Sequence, residues 1–131
     1  MNNLIISERK IGAVVILDLK GNIRIGDGNV HLHQTVRDLM EKGEKNVLLN
    51  LAGVTHIDST GLGEIIACHI TLKKNGGEMK LLHLTKRVRE LMVITKLLTV
   101  FYVFQSESDA VNSFNPFFKK AEKTDARAMS A

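Results

Sequence analysis

The chain has 131 residues and a formal net charge of +4, with 44% hydrophobic and 24% charged residues, as expected of one ordinary folded domain. The mild positive charge is not accompanied by stacking rings, because only 5% of residues are aromatic and tryptophan is absent. These features do not favour direct nucleic-acid binding. No segment reaches the about 20 apolar residues of a membrane span, and the first apolar run is too short for a signal peptide. We therefore expect a cytoplasmic protein.

The first part of the chain alternates short apolar runs with glycine-containing turns. Residues 4–7 are predicted to form an edge strand, and Gly12 indicates a tight turn before a Val/Ile/Leu-rich strand at 13–19. A loop is predicted at 21–28. Apolar residues then recur at the spacing of one helix face: Leu32, Val36, Leu39 and Met40. Gly43 is predicted to end this helix.

The middle of the chain continues the alternation of strands and helices. Residues 47–51 are nearly all apolar, which is typical of a central strand covered on both faces. After a connection at 53–58, a second helix is predicted from residues at helical spacing: Leu62, Ile65, Ile66, His69, Ile70 and Lys73. The Asn-Gly-Gly sequence at 75–77 is predicted to end it, and residues 79–84 are predicted to form the next strand.

The last elements complete an α/β pattern. Thr85 can cap a short helix that runs to about Lys96, with Val88, Leu91 and Met92 on its buried side. A strand at 100–104 and a helix at 106–114 follow. The predicted order is β-β-α-β-α-β-α-β-α, about five strands and four helices, and implies a mixed, mostly parallel sheet. Apolar periodicity stops near Asn115, so we expect a domain at 1–114 and a flexible tail at 115–131.

The segment from His56 to Glu64 combines several features of a functional helix start. Two adjacent hydroxyls, Ser59 and Thr60, lie where a helix begins, and helix N-termini have unpaired N–H groups and partial positive charge that favour anions. Asp58 and Ser59 are both good N-caps. A capped helix is the plainer interpretation, but two hydroxyls exceed what one cap needs. Glycines at 61 and 63 weaken the first turn by up to ~1 kcal/mol each relative to alanine.

This segment, Asp58-Ser59-Thr60-Gly61-Leu62-Gly63, resembles the phosphorylation motif of anti-sigma factor antagonists in the STAS domain family. Other segments are similar to the same family in the same order: residues 47–58, 75–81 and 88–97. The resemblance extends from about residue 4 to residue 114. It implies a STAS-type α/β domain.

The resemblance also implies a mechanism based on partner binding. In this family the unphosphorylated antagonist binds an anti-sigma factor, which is itself a serine kinase, and a sigma factor is released. The kinase phosphorylates the serine after the Asp, here Ser59, and a serine phosphatase resets the switch. The remaining residues of the expected switch loop and partner-binding surface are Asp58, Thr60, Gly61, Leu62 and Gly63. The resemblance also implies a monomer. From composition and residue spacing we expect no catalytic residues, metal or cofactor, and no direct contact with nucleic acid or membrane.

One departure and two alternatives remain open. Asn22 and Arg24 stand where many family members carry acidic residues, which leaves the identity of the partner open. The chain could instead be a non-switching STAS scaffold or an accessory subunit of a signalling or transport complex. An enzyme such as a weak nucleotide hydrolase is disfavoured because no phosphate-binding loop or metal-ligand spacing is visible.

Candidate ligand residues are scattered in the sequence. His31 and His33 are two residues apart and do not share a helix face, and His56, His69 and His83 have no cysteine or carboxylate at ligand spacing. We expect His69 to pack on a helix flank and His56 to be a half-buried turn residue. Cys68 lies in an apolar helical segment and is predicted to be a small buried side chain.

Overall fold

The computed structural model describes residues 4–24 and 26–115. The strands in this part of the chain are β1 (Leu4–Ile11), β2 (Val14–Ile23), β3 (Asn46–Ile57), β4 (Glu78–Leu82) and β5 (Val103–Phe104). The helices are α1 (Asp27–Glu41), α2 (Ser59–Lys74), α3 (Lys86–Ile94) and α4 (Glu107–Asn112). The predicted order of elements is confirmed. Of the predicted tail, only Asn115 belongs to the described residues.

The strands form one sheet in the order β1-β2-β3-β4-β5. β1 and β2 are antiparallel, and each later pair of neighbours is parallel, so the predicted mixed, mostly parallel sheet is confirmed. Each step from β2 to β5 crosses over through one helix and moves to the next strand on the same side. Because such crossovers are right-handed, α1, α2 and α3 lie on one face of the sheet.

Two apolar clusters cover the two faces of the sheet. The larger one joins alternate residues of β2 and β3 to the inner sides of α1, α2 and α3. The smaller one lies on the other face, under α4: Val14, Ile16, Leu48, Leu82, Phe104 and Ala110. Consecutive residues of β3, Val47 to Leu49, are therefore all fully buried, which confirms the expected central strand.

The structure corrects the ends of the first three strands. β1 extends beyond the predicted 4–7, and the strands predicted at 13–19 and 47–51 are both longer at their carboxyl ends. Residues 21–23, predicted as a loop, pair in parallel with residues 54–57, predicted as part of a connection. These segments contain few apolar residues, so the hydrophobic pattern could not reveal a pairing that depends on the neighbouring strand.

The later elements are shorter than predicted. β4 ends at Leu82, and His83 has a φ of 57°. The strand predicted at 100–104 retains only Val103 and Phe104, because Val100 N–H donates to Leu97 O in a turn. α3 ends at Ile94, before Lys96, and α4 spans only Glu107–Asn112.

The predicted helix faces and stops are largely confirmed. α1 buries its predicted face, and Gly43 and Gly76 follow α1 and α2 with φ values of 86° and 82°, where a residue with a side chain would be strained. Thr85 caps α3 by accepting from Val88 N–H.

The predicted face of α2 was wrong at one position. Ile70 is 49% exposed, and the buried side of this part of the helix is formed by Cys68 and Leu72.

Candidate functional site

The candidate site is built at the junction between β3 and α2. β3 ends at Ile57, and Asp58 has extended backbone angles, φ −116° and ψ −178°. Its carboxylate accepts a hydrogen bond from Gly61 N–H at 2.8 Å, and its carbonyl accepts one from Leu62 N–H at 2.9 Å. Asp58 is therefore the N-cap, and Ser59 is the first residue of the helix.

The two hydroxyls of the predicted motif face outward. Ser59 and Thr60 are both exposed, and neither side chain makes a hydrogen bond within the described residues. The inward hydrogen bond that a β-branched threonine can form with the backbone is not made here. A modifying enzyme can reach both hydroxyls, and Ser59 is the one directly beside the cap.

The rest of the motif divides into buried support and exposed surface. Gly61 is buried against β2, and Leu62 is only 2% exposed within the larger core cluster. Gly63 is exposed, and a β-carbon placed there would meet no atom within 4 Å. Gly61 and Leu62 therefore hold the helix start in place, while Ser59, Thr60 and Gly63 form its outer surface.

The electrostatics of this surface suit an anion. α2 has 16 residues, so its N-terminus carries the partial positive charge of a full helix. Its first turn contains no acidic side chain, and the basic residues Lys73 and Lys74 lie at the opposite end. An anion on the Ser59 side chain would thus be favoured by the backbone of its own helix.

The end of β2 borders the same site. Asp58 N–H donates to Ile23 O at 3.3 Å, so the segment with Asn22 and Arg24 lies beside the start of α2. Asn22 Oδ1 accepts from Thr55 Oγ1 at 3.2 Å and lies 2.9 Å from His56 Nδ1. Asn22 thus joins β2 to β3 next to the motif. His56, predicted as a half-buried turn residue, is instead an exposed strand residue, because residues 53–57 continue the pairing.

A second group of polar side chains was missed by sequence reasoning. His33 Nδ1 lies 2.8 Å from Glu64 Oε2, and Cys68 donates to the same oxygen at 3.3 Å. Glu64 and Cys68 are four residues apart on one helix face, but nothing in the sequence connects them to His33. Cys68 is buried, as predicted, and His69 packs on Phe101 with ring centroids 4.9 Å apart, which confirms its predicted place on the helix flank.

The fold and the site define a small α/β domain in which helix α2 begins at the carboxyl end of the central strand β3, with Ser59 and Thr60 accessible directly after the N-cap Asp58. The STAS domain family model matches residues 6–110. The chain belongs to the STAS domain family.

Relatives within this family are named for a regulatory role. BtrV of Bordetella bronchiseptica, which carries the name of an anti-sigma factor antagonist, is 30% identical over 105 residues, covering 80% of this chain and 90% of BtrV. The structure of a Thermotoga maritima protein of the same description has a TM-score of 0.77 at 24% identity and covers 83% of this chain and 93% of that one. The chain is thus similar to anti-sigma factor antagonists in sequence and fold.

The fold is also similar to SpoIIAA, an anti-sigma factor antagonist solved in two states. The unphosphorylated form has a TM-score of 0.67 at 14% identity, covering 86% of this chain and 100% of SpoIIAA. The phosphorylated form has a TM-score of 0.66 at 15% identity, covering 83% of this chain and 98% of SpoIIAA.

Within residues 4–24 and 26–115, none of the helices has the length and apolar character of a membrane span.

Proposed function

We propose that this chain is an anti-sigma factor antagonist that is switched by phosphorylation of Ser59. In its unphosphorylated form it binds an anti-sigma factor with serine kinase activity, and this binding releases a sigma factor. Phosphorylation of Ser59 by that kinase ends the binding, and a serine phosphatase restores it. The chain acts by binding and not as an enzyme.

The observation that carries the proposal is the position of Ser59, exposed and first in α2 beside its N-cap Asp58. A phosphate adds about −1.5 to −2 charges at neutral pH. Within the domain the helix N-terminus stabilises that charge, and no core residue has to move because the side chain already lies at the surface. In a packed complex the same charge would be desolvated against the partner. The domain therefore remains folded while the interface is lost.

The partner surface would centre on the exposed part of the helix start. Ser59, Thr60 and Gly63 lie on it, and the absence of a side chain at Gly63 allows a partner backbone to approach closely. Asp58, Gly61 and Leu62 hold this surface in place through the cap and the core. Arg24, at the end of β2, brings a cation to the border of the surface and favours a partner with an acidic group there.

A non-switching STAS scaffold is the alternative binding function. A scaffold requires the same fold but does not require an accessible phosphate acceptor beside the cap. Ser59 is exposed, and after the N-cap Asp58 the first turn of α2 has no acidic side chain, which favours the switch.

The test combines phosphate mapping with partner binding. The purified chain is incubated with ATP, Mg²⁺ and the anti-sigma factor kinase, and mass spectrometry locates the phosphate. We expect modification of the wild type and of the matched control Thr60→Ala, and none of Ser59→Ala. Calorimetry should show that Ser59→Ala binds the kinase as the wild type does. Ser59→Asp should bind more than a hundredfold more weakly, a loss of about 3 kcal/mol.

Two results would overturn this proposal. Phosphate on Thr60 alone would remove the assignment of Ser59. Equal kinase affinity for the phosphorylated and unphosphorylated chain would remove the switch and favour the scaffold.

A further inference from the structure

A cluster of three metal-ligand side chains joins α1 to α2, apart from the helix start at Ser59. His33 comes from α1, and Glu64 and Cys68 come from successive turns of α2. One ligand atom from each residue lies within 4.8 Å of the other two. The packing of the two helices brings His33 to Glu64 and Cys68, although His33 is more than thirty positions away from both in the chain.

The contacts within the cluster show that the carboxylate is its centre. Glu64 Oε2 lies 2.8 Å from His33 Nδ1 and accepts the thiol proton of Cys68 at 3.3 Å. In a nucleophilic cysteine site the imidazole stands between thiol and carboxylate and takes the thiol proton. Here the thiol faces the carboxylate instead, and burial, followed by Glu64, raises the pKa of Cys68. The arrangement does not activate a nucleophile, whereas one cation could replace the shared protons.

The surroundings of the cluster also suit a cation. Cys68 is buried and the Glu64 side chain is 14% exposed, while His33 is half exposed and opens the cluster to water. A cavity of about 50 Å³ lies beside it, lined by His33, Val36, Arg37, Met40, Cys68 and Thr71. The two charges of a divalent ion are balanced by the Glu64 carboxylate and the Cys68 thiolate. The occupied site is therefore neutral and is not repelled by Arg37 on the cavity wall.

We propose that His33, Glu64 and Cys68 bind a divalent transition-metal ion of the zinc type, with the fourth position open to water. Zinc binds imidazole, carboxylate and thiolate at about 2.0–2.3 Å, which places tetrahedral ligand atoms roughly 3.3–3.8 Å apart. The observed spacing reaches this geometry through side-chain rotation on two rigid helices. The mixed nitrogen, oxygen and sulfur set favours zinc-like ions over Mg²⁺ and Ca²⁺, which prefer oxygen ligands alone.

Metal binding would exchange a proton for the ion. The Cys68 S–H bond breaks as the sulfur–metal bond forms, and the proton leaves to solvent. His33 binds through one ring nitrogen as the neutral imidazole and keeps its proton on the other, and Glu64 binds as the carboxylate. The ion then joins α1 to the second and third turns of α2, the helix that begins at Ser59. It stabilises the folded domain by an amount that grows with the logarithm of the free ion concentration above the dissociation constant.

The probes are Co²⁺ and Zn²⁺, added to the full chain after treatment with a chelator. We expect one ion per chain, a thiolate-to-cobalt charge-transfer band, and a rise in the thermal midpoint with Zn²⁺. Cys68→Ala should lose the band, and His33→Gln should weaken Zn²⁺ binding by about tenfold or more. The control is His31→Gln, which removes the neighbouring α1 histidine whose Nδ1 lies near Leu4 O. It should bind as the wild type does.

Circular dichroism tests whether each variant is folded. We expect His33→Gln to fold, because it changes only a half-exposed side chain. The inference is overturned if the wild type gives no charge-transfer band, or if His33→Gln and His31→Gln weaken Zn²⁺ binding equally. Because these readouts need no kinase, they are independent of the proposed phosphorylation switch.

Discussion

The carbonyl oxygen of Ile23 occupies the space that a side chain on Gly61 would need. A β-carbon built on Gly61 would lie 2.0 Å from this oxygen, and the carbonyl carbon of Ile23 would be 2.8 Å away. The first turn of α2 therefore rests directly on the backbone at the end of β2. This contact fixes where the exposed Ser59 lies relative to the sheet.

The two motif glycines should respond in opposite ways to alanine. Gly61→Ala forces the helix start away from β2, and we expect it to lower the free energy of unfolding by about 2–3 kcal/mol. Gly63→Ala meets open space and removes a helix-weakening glycine, so it should raise stability by up to about 1 kcal/mol. Urea denaturation of both variants measures the difference. Equal stability of the two would contradict the packing described here.

The cap at Asp58 should contribute to stability independently of any partner. Asp58→Ala removes the acceptor for Gly61 N–H, and we expect a loss of about 1 kcal/mol. Asp58→Asn retains an acceptor oxygen, so its free energy of unfolding should fall by only a few tenths of the loss expected for Asp58→Ala. Denaturant midpoints of the two variants test this order. Because both substitutions remove the charge, an equal loss for asparagine and alanine would show that the charge, and not the cap hydrogen bond, stabilises the helix start.

An ion network at the sheet edge should make stability fall in acid. Arg9 lies between Asp18, at 2.6 Å from Oδ2, and Glu107, at 2.9 Å from Oε2, and it lowers the pKa of both carboxyl groups. The unfolded chain then binds more protons than the folded one, so this stability is present above the ordinary carboxyl range and is lost as pH falls through the lowered pKa values. Because Arg9 and its partners are partly exposed, we expect at most about 1 kcal/mol.

The variant Arg9→Gln tests this network. Its unfolding free energy should fall less steeply with acidification than that of the wild type, and the two curves should converge below the lowered pKa values. Parallel curves throughout the acid range would show that the network does not contribute to the pH dependence.

A buried lysine under α4 should make stability depend on pH in the alkaline range. Lys80 is 4% exposed, donates to Ser113 O and Oγ at 3.0 and 2.9 Å, and lies 4.6 Å from the centre of the Phe114 ring. Desolvation lowers its pKa, an effect that Glu78 partly opposes. The folded chain releases this proton at lower pH than the unfolded chain does. Stability due to Lys80 should therefore rise as pH increases through the lowered pKa.

Substitution separates the charge of Lys80 from its packing. Lys80→Met fills the same space without a buried charge and should stay within about 1 kcal/mol of the wild type. Lys80→Ala leaves a cavity beneath the rings and should lose about 2–3 kcal/mol. The wild type should gain stability relative to Lys80→Met on moving from neutral to alkaline pH. A constant difference between them would contradict the lowered pKa.

The sequence by itself determined the elements that depend on local interactions. Helix hydrogen bonds join residues four apart, so the apolar face of α1, the stop at Gly43 and the cap at Thr85 are all visible in short segments. For α2 the sequence offered Asp58 and Ser59 as caps, and the structure selects Asp58. The order of elements follows from the same patterns, and the motif around Ser59 identified the family that the comparison of sequences confirmed.

The tertiary structure decided what depends on distant residues. The pairing of residues 21–23 with residues 54–57 needs two strands side by side. Only the packing of α1 on α2 brings His33 to Glu64. Only the contact between β2 and α2 leaves no space for a side chain at position 61, while position 63 remains exposed. Strand partners and helix contacts join residues far apart in the chain, and no short segment contains both halves of such an interaction.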